Sequence, residues 1–172
     1  RNNKVNVKFL DYRDLKEKYD NIASIEMIEA VGENYLDKYF KTIKNSLKEN
    51  GTSALQGITI RDDLFDRYRG GEDFIQKYIF PGGFLPSVSF MEKLIKKNNL
   101  KILKINSYSE DYAKTLAVWR KNFLSSWSNI EPLGFDSTFK RMWEFYLSYC
   151  EAGFRSKNIN LIQFCMSNKH SA

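Results

Sequence analysis

The chain has 172 residues, which is enough for one domain with a hydrophobic core and hardly enough for two. Hydrophobic residues make up 42% and charged residues 28%, so the composition excludes an intrinsically disordered chain. The net charge of +6 favours an anionic partner, whether a phospholipid, a nucleotide or a nucleic acid. The two cysteines, Cys150 and Cys165, exclude a disulfide scaffold and indicate a reducing compartment.

No stretch of the sequence predicts a secretory signal or a membrane-spanning helix. Residues 1–5 lack an apolar signal core. The longest uncharged run, residues 78–91, carries two prolines and two glycines and is shorter than the roughly 20 apolar residues that a spanning helix needs. We therefore expect a cytoplasmic protein. Because the chain opens on Arg1 and runs straight into a strand pattern, we expect it to be part of a longer polypeptide.

Hydrophobic periodicity predicts alternating strands and helices along the chain. The predicted strands cover residues 5–9, 22–31 (with the loop that follows), 53–60, 100–105 and 159–166. The predicted helices cover residues 33–48, 72–78, 87 or 89 to 98, 111–127 and 136–154, and residues 61–71 read as loop. Such alternation predicts an α/β fold with a largely parallel sheet and helices on both faces.

Generic catalytic motifs are absent from the sequence, and carboxylates are its best chemical signal. The single histidine, His170, lies near the C-terminus, no Cys/His spacing suits zinc, and no Walker loop occurs. Asp11 ends the first predicted strand, while Glu26 and Glu29 interrupt an apolar run. A charge in such a run serves a ligand or a partner, or else points to solvent past the end of the strand.

Several sequence blocks occur in the order found in one enzyme family. They are Asp-Tyr-Arg-Asp at 11–14, Ser-Ile-Glu-Met-Ile-Glu-Ala-Val-Gly at 24–32, residues 73–83 and 85–87, residues 111–116 with Trp119, and residues 143–146 and 150–154. In these blocks the chain resembles the cyclopropane-fatty-acyl-phospholipid synthase family of S-adenosylmethionine-dependent methyltransferases, and the similarity spans nearly the whole chain.

The resemblance implies an incomplete class I methyltransferase (Rossmann-like) sheet. In the family's strand order, 3-2-1-4-5-7-6, the predicted strands correspond to 3, 4, 5, 6 and 7, so residues 1–172 form a partial methyltransferase domain that lacks the first two strands. The glycine-rich cofactor loop, the ribose-binding acid and a bicarbonate cysteine of the family would lie upstream of Arg1. We therefore expect this chain alone to be inactive and to bind the cofactor poorly. We expect it to be either a truncated or cleaved polypeptide, or one that self-associates so that a partner covers the exposed edge of strand 4.

The activity implied by the resemblance is methyl or methylene transfer from S-adenosylmethionine to the cis double bond of an unsaturated phospholipid acyl chain, with bicarbonate as the general base. The implied cofactor residues are Asp11 and Tyr12 at the adenine and Ser24, Ile25 and Glu26 at the methionine end. The implied catalytic, bicarbonate-binding residues are Glu29, Gln56, Ile58 and Tyr112. The implied acyl-channel residues are Phe80, Pro81, Gly82, Gly83 and Phe84. Gln56 stands where many family members have histidine, so it can donate a hydrogen bond but cannot carry a charge.

Other interpretations stay open on the residues alone. Tyr112 lies on an apolar helix stripe and is typical of a core residue. The lysines at 93, 96, 97, 101 and 104 form a solvated face or a docking patch for anionic lipid on the inner face of the membrane. A non-catalytic lipid- or nucleic-acid-binding module and a small-molecule amine methyltransferase remain alternatives. No nucleic-acid-binding motif supports the nucleic-acid version.

Overall fold

A computed structural model describes residues 5–168; Arg1 and His170 therefore lie outside the described residues. Four strands form one sheet in the order β1-β2-β4-β3, where β1 is Tyr19–Ile25, β2 is Leu47–Ile60, β3 is Lys101–Ser107 and β4 is Ile159–Ser167. β1 pairs with β2 in parallel, whereas β4 runs antiparallel to both β2 and β3. The order matches 4-5-7-6 of the class I scheme, and the prediction of a largely parallel sheet is wrong because the last strand reverses.

Seven α-helices connect and cover these strands in the described chain. Their bounds are Leu36–Ser46 (α1), Asp62–Arg69 (α2), Phe74–Tyr78 (α3), Val88–Lys97 (α4), Ser109–Ser125 (α5), Trp127–Ile130 (α6) and Ser137–Arg155 (α7). Short 3-10 turns lie at Tyr12–Asp14, Ile28–Ala30, Glu33–Tyr35 and Glu131–Leu133. No helix among residues 5–168 is both long and apolar enough to cross a membrane.

Helices lie on both faces of the sheet, as the sequence predicts. Neighbouring residues of β4 point to opposite faces, so Ile162 joins the buried cluster with Phe40 of α1 and Ile95 of α4. Leu161 instead joins Leu116 of α5 and Leu147 of α7 in a second buried cluster. The sheet therefore separates two hydrophobic cores, and α5 and α7 together close the second one.

Two predicted elements differ from the structure. Residues 5–9 form no strand, and Val7 and Phe9 are almost fully exposed. Alternation alone cannot make a strand, because the backbone also needs a neighbouring strand to accept its hydrogen bonds. Residues 61–71, predicted as loop, contain α2, which begins with acidic residues in its first turn and buries Phe65. The other predicted strands and helices are confirmed with shifted ends; β2, for example, starts at Leu47 and takes up the last residues of the predicted first helix.

Gly57 in β2 allows the chain after β1 to pack directly against the sheet. A Cβ atom at Gly57 would lie 2.6 Å from Cγ2 of Ile28 and 3.5 Å from Oε1 of Glu29. Contacts below about 3 Å force either the strand or the turn to move. Glycine at this position therefore brings the Ile28–Ala30 turn, and with it Glu29, onto the backbone of β2.

We expect Gly57→Ala to lower the free energy of unfolding by about 1–3 kcal/mol, because the added methyl group overpacks Ile28. Urea unfolding followed by circular dichroism measures the change. Gly71→Ala is the matched control, since nothing lies within 4 Å of a Cβ there, and it should change stability by less than about 0.5 kcal/mol. Equal stability of the two variants would contradict the close packing of the turn.

Candidate functional site

Glu29 is held by the backbone of β2 while one of its oxygens stays unpaired. The N–H of Ile58 donates to Oε1 of Glu29 over 2.5 Å. Oε2 is buried and has no hydrogen-bond partner among the described residues. Burial raises the pKa of the Glu29 carboxyl above its usual value of 4.5. A buried carboxylate with one free oxygen is costly unless it serves a ligand.

Glu26 accepts two hydrogen bonds from residues that the resemblance gives to the bicarbonate site. The amide Nε2 of Gln56 lies 2.8 Å from Oε1 of Glu26, and the hydroxyl of Tyr112 lies 3.0 Å from Oε2. Glu26 follows the end of β1 with a positive φ of 50°. The donors Gln56 and Tyr112 are thus shown to bind a carboxylate, which is a planar anion like bicarbonate.

The orientation of the Gln56 side chain is fixed by β4, a constraint that the sequence reasoning missed. Gln163 donates from Nε2 to Oε1 of Gln56 over 2.8 Å. The oxygen of the Gln56 amide is thereby occupied, so its NH₂ group faces Glu26. Gln163 is the cross-strand partner of Gln56 in the β2–β4 pairing, and only the strand register reveals this contact.

Tyr112 is both a packing residue and a site residue. Its ring lies 4.7 Å from that of Phe154 and 6.4 Å from that of Trp119, measured between centroids. Burial, together with the negative charge of Glu26, raises the pKa of the Tyr112 phenol. The hydroxyl therefore remains a proton donor at neutral pH.

Three of the predicted cofactor residues, Tyr12, Ser24 and Ile25, lie at or near the carboxyl end of β1. Tyr12 packs edge-on against Tyr39, with 5.7 Å between ring centroids, and the Tyr39 hydroxyl donates to Oγ of Ser24 over 2.6 Å. Ile25, at the end of the strand, is 60% exposed although it is apolar. Ligands of open α/β sheets bind at such strand ends. Tyr12, Ser24 and Ile25 thus offer an aromatic ring, a hydroxyl group and an apolar surface to a cofactor.

Asp11 differs from its neighbours in being engaged locally. Both of its carboxylate oxygens accept hydrogen bonds from the Arg13 side chain, at 3.0 and 2.6 Å. These bonds lower the pKa of Asp11 to about 2. Asp11 also caps the Tyr12–Asp14 turn through the Arg13 N–H. The structure thus places Asp11 beside Tyr12 with its oxygens already paired.

A cavity of about 1210 Å³ opens beside Glu26 and Glu29. This volume exceeds the roughly 300–1,000 Å³ of a typical small-ligand pocket. Its wall includes four of the five predicted channel residues, Phe80, Pro81, Gly83 and Phe84, whereas Gly82 is not among the lining residues. Ile58 and Tyr112 also line it, whereas Gln56 does not. The backbone N–H of Phe84 donates to the Glu29 carbonyl over 2.9 Å, which ties the channel loop to the carboxylate turn.

Much of the cavity wall comes from residues to which the sequence analysis assigned no site role. Tyr146, Tyr149 and Cys150 of α7 line it, together with Arg67 and Tyr68 of α2. Burial raises the pKa values of Tyr146 and Cys150 to about 12, so the thiol stays protonated and is a poor nucleophile. The apolar stripe of α7 signalled burial, but it could not distinguish a core residue from a cavity wall.

Comparison with known proteins bears on this combination of a mixed sheet, two carboxylates three residues apart and an apolar cavity. The family model for mycolic acid cyclopropane synthetase matches residues 1–164. The chain belongs to the mycolic acid cyclopropane synthetase family. This result confirms the resemblance to cyclopropane synthases and the incomplete class I methyltransferase fold.

Three relatives show how much of the family's length is present. The chain is 39% identical to the tuberculostearic acid methyltransferase UfaA1 of Mycobacterium tuberculosis, over 95% of the chain and 38% of the relative. It is 34% identical to the cyclopropane-fatty-acyl-phospholipid synthase of Escherichia coli K12, over 95% of the chain and 41% of the relative. The mycolic acid cyclopropane synthase CmaA1, solved in complex with SAH and CTAB, superimposes with a TM-score of 0.81 at 26% identity, over 91% of the chain and 57% of that structure. The chain therefore spans about two-fifths of the length of these curated relatives.

The raised pKa of Glu29 predicts how stability depends on pH. The folded state binds the Glu29 proton more tightly than the unfolded state does, so this carboxyl stabilises the fold fully below its unfolded pKa near 4.5. That contribution is lost as the pH rises through the higher folded pKa. The free energy of unfolding of the wild type relative to Glu29→Gln should therefore fall as the pH rises above 4.5.

Urea titrations at a series of pH values between about 4 and 8 test this sign. Glu49→Gln removes an exposed carboxylate of β2 and controls for the loss of one negative charge. A relative stability of Glu29→Gln that is independent of pH would contradict the desolvation of Glu29.

Proposed function

We propose that this chain supplies the acyl-binding and proton-accepting part of an S-adenosylmethionine-dependent methyltransferase that modifies the cis double bond of an unsaturated phospholipid acyl chain. The observation that carries the proposal is that Glu29, a residue of the cavity wall, keeps a buried carboxylate oxygen, Oε2, without a hydrogen-bond partner among residues 5–168. An acyl chain suits this cavity better than a small amine does, because apolar and aromatic side chains dominate its wall. The names of the relatives, a tuberculostearic acid methyltransferase and a cyclopropane-fatty-acyl-phospholipid synthase, agree with this substrate class.

The cofactor would lie against Tyr12, Ser24, Ile25 and Glu26, with Asp11 next to its adenine. S-adenosylmethionine, when bound, supplies the methyl group that the double bond attacks, and the thioether leaves with the electron pair of the broken S–C bond. The positive charge that then develops on the acyl chain would face the rings of Tyr112, Phe80 and Tyr146, which line the cavity. Aromatic faces stabilise such a charge without donating a proton.

Bicarbonate, bound between Glu29, Gln56, Ile58 and Tyr112, would supply the base that accepts a proton as the ring closes. Oε2 of Glu29 offers a free acceptor for the bicarbonate hydroxyl. Gln56 and Tyr112 offer two donors, which Glu26 occupies in this structure. Release of Glu26 toward the cationic methionine end of the cofactor would free both donors for the anion. A ring rather than a branched methyl product requires this base to act.

The substrate lipid would be taken from a membrane surface, which we propose to be the inner face of the cytoplasmic membrane. The net charge of +6 favours that surface over a neutral one.

We also propose that this chain self-associates when it is studied alone. The outer edge of β1 is free among residues 5–168, and free edge strands pair readily with other chains.

In the full-length gene product, Glu29→Gln should lower the formation of methylated or cyclopropanated lipid by at least about a hundredfold, because the base loses its partner. The affinity for S-adenosylmethionine should stay unchanged. Mass spectrometry of dioleoyl phospholipid products and calorimetric titration of the cofactor measure the two effects, with Glu49→Gln as the matched control. Normal turnover by Glu29→Gln would remove Glu29 from the mechanism.

Sedimentation equilibrium of the 172-residue chain tests self-association. We expect the mass of a dimer or a larger species, since the outer edge of β1 pairs with nothing among residues 5–168. A folded monomer at micromolar concentration would contradict this prediction.

A further inference from the structure

One end of the cavity carries an arginine without a partner. Arg67, in the last turn of α2, is exposed, lines the cavity and makes no side-chain hydrogen bond or ion pair within residues 5–168. Two nearby arginines behave differently: Arg61 pairs with Asp63, and Arg69 pairs with Glu33. Arg67 is also the one cationic side chain on the cavity wall in the described part of the chain. Its guanidinium group is therefore available to a ligand at the cavity mouth.

A carboxylate without a partner in the described chain also lines the cavity. Glu72, in the turn between α2 and α3, is exposed and has no side-chain partner in the described chain. The neighbouring Asp73 is engaged, since its side chain accepts the Gln76 N–H at the start of α3 and the Tyr149 hydroxyl over 3.4 Å. The mouth thus offers one free cation and one free anion.

Different side-chain contacts hold the parts of the cavity wall near Glu72 and near Glu26. Tyr149 of α7 contacts Asp73, next to Glu72, while Tyr112 contacts Glu26 near the carboxylate turn.

Exposed aromatic side chains cluster on α3 and α7 beside Asp73, the neighbour of Glu72. Phe145 is 51% exposed and Tyr149 is 42% exposed, and both pack against Phe74 of α3, with ring centroids 4.7 and 6.2 Å away. Tyr78, also exposed, continues this group on α3. Amphipathic rings of this kind suit the boundary between a lipid surface and water.

We propose that Arg67 and Glu72 form a head-group site for a zwitterionic phospholipid whose acyl chain enters the cavity. The inference rests on the proposed function and extends it from the acyl chain to the head group. The Arg67 guanidinium binds the phosphodiester through paired N–H donors. The Glu72 carboxylate binds the ammonium group. For a head group with phosphate alone, Glu72 would be a repulsive neighbour, so this pair of charges favours a phosphoethanolamine head group over phosphoglycerol.

The test uses the full-length gene product and vesicles of equal parts dioleoyl phosphatidylethanolamine and dioleoyl phosphatidylglycerol. Mass spectrometry gives the ratio of modified ethanolamine lipid to modified glycerol lipid, and co-sedimentation without cofactor gives binding. Arg67→Gln is compared with Lys41→Gln, and Glu72→Gln with Glu49→Gln. Lys41, on the outer surface of α1, and Glu49 are exposed and lie away from the cavity wall.

We expect Arg67→Gln to reduce binding and modification of both lipids about tenfold, because both carry the phosphate. Glu72→Gln should lower the ethanolamine-to-glycerol product ratio about threefold. An Arg67→Gln protein that behaves like Lys41→Gln, or an unchanged ratio in Glu72→Gln, would overturn the head-group site. Arg67-dependent binding of inorganic phosphate without vesicle binding, or modification of protein-carried acyl chains only, would also overturn it.

The experiment distinguishes a failure of the proposed function from a failure of the head-group site. If binding follows the expected pattern but no methyl group reaches any acyl chain, the proposed function fails and the head-group site stands. If both lipids are methylated with ratios and rates that ignore Arg67 and Glu72, the proposed function stands and the head-group site fails.

Discussion

The hydrogen bond from the Ile58 backbone to Glu29 joins three parts of the molecule that the sequence keeps apart. The side chain of Glu29 is anchored to β2, its turn lies against Gly57, and its carbonyl accepts the N–H of Phe84. The end of β1, the middle of β2 and the channel loop thus meet at one residue. The cavity wall next to Glu29 depends on this junction, because a shift of the turn would move both the carboxylate and the loop.

The same junction contains an unfavourable feature that no contact within the described chain offsets, namely the unpaired carboxylate oxygen of Glu29. A buried carboxylate oxygen without a donor destabilises the fold, and the raised pKa of Glu29 expresses this cost. Nearby, Gln163 fixes Gln56, and Gln56 and Tyr112 hold Glu26. An acceptor without a donor therefore lies beside donors that already bind an anion. A small anion with one hydroxyl group would complement this arrangement, which is the physical basis of the proposal that the proton-accepting step takes place here.

The sequence predicted the elements better than it predicted their pairing. The apolar stripes of α1, α5 and α7 identified these helices, and the family resemblance, rather than strand–helix alternation, gave the order in which β4 lies between β2 and β3. The strand predicted over residues 5–9 is wrong because an alternation of apolar and polar residues carries no information about a pairing partner. Helix α2 was not predicted because its single buried residue, Phe65, lies in a strongly charged stretch. For the same reason, Arg67 on this helix was not predicted to line a cavity. The contact between Gln56 and Gln163 depends on strand register, which a single sequence does not encode in a readable form.

The central claim is that Glu29, with Tyr112 and Gln56, makes this cavity a site for bicarbonate beside an acyl chain. Titration of ¹³C-labelled bicarbonate into the full-length gene product, followed by ¹³C NMR in the presence of the cofactor, tests it directly. The account predicts saturable binding by the wild type and by Glu49→Gln, and its loss in Glu29→Gln. Equal binding of bicarbonate by the wild type and Glu29→Gln would contradict it.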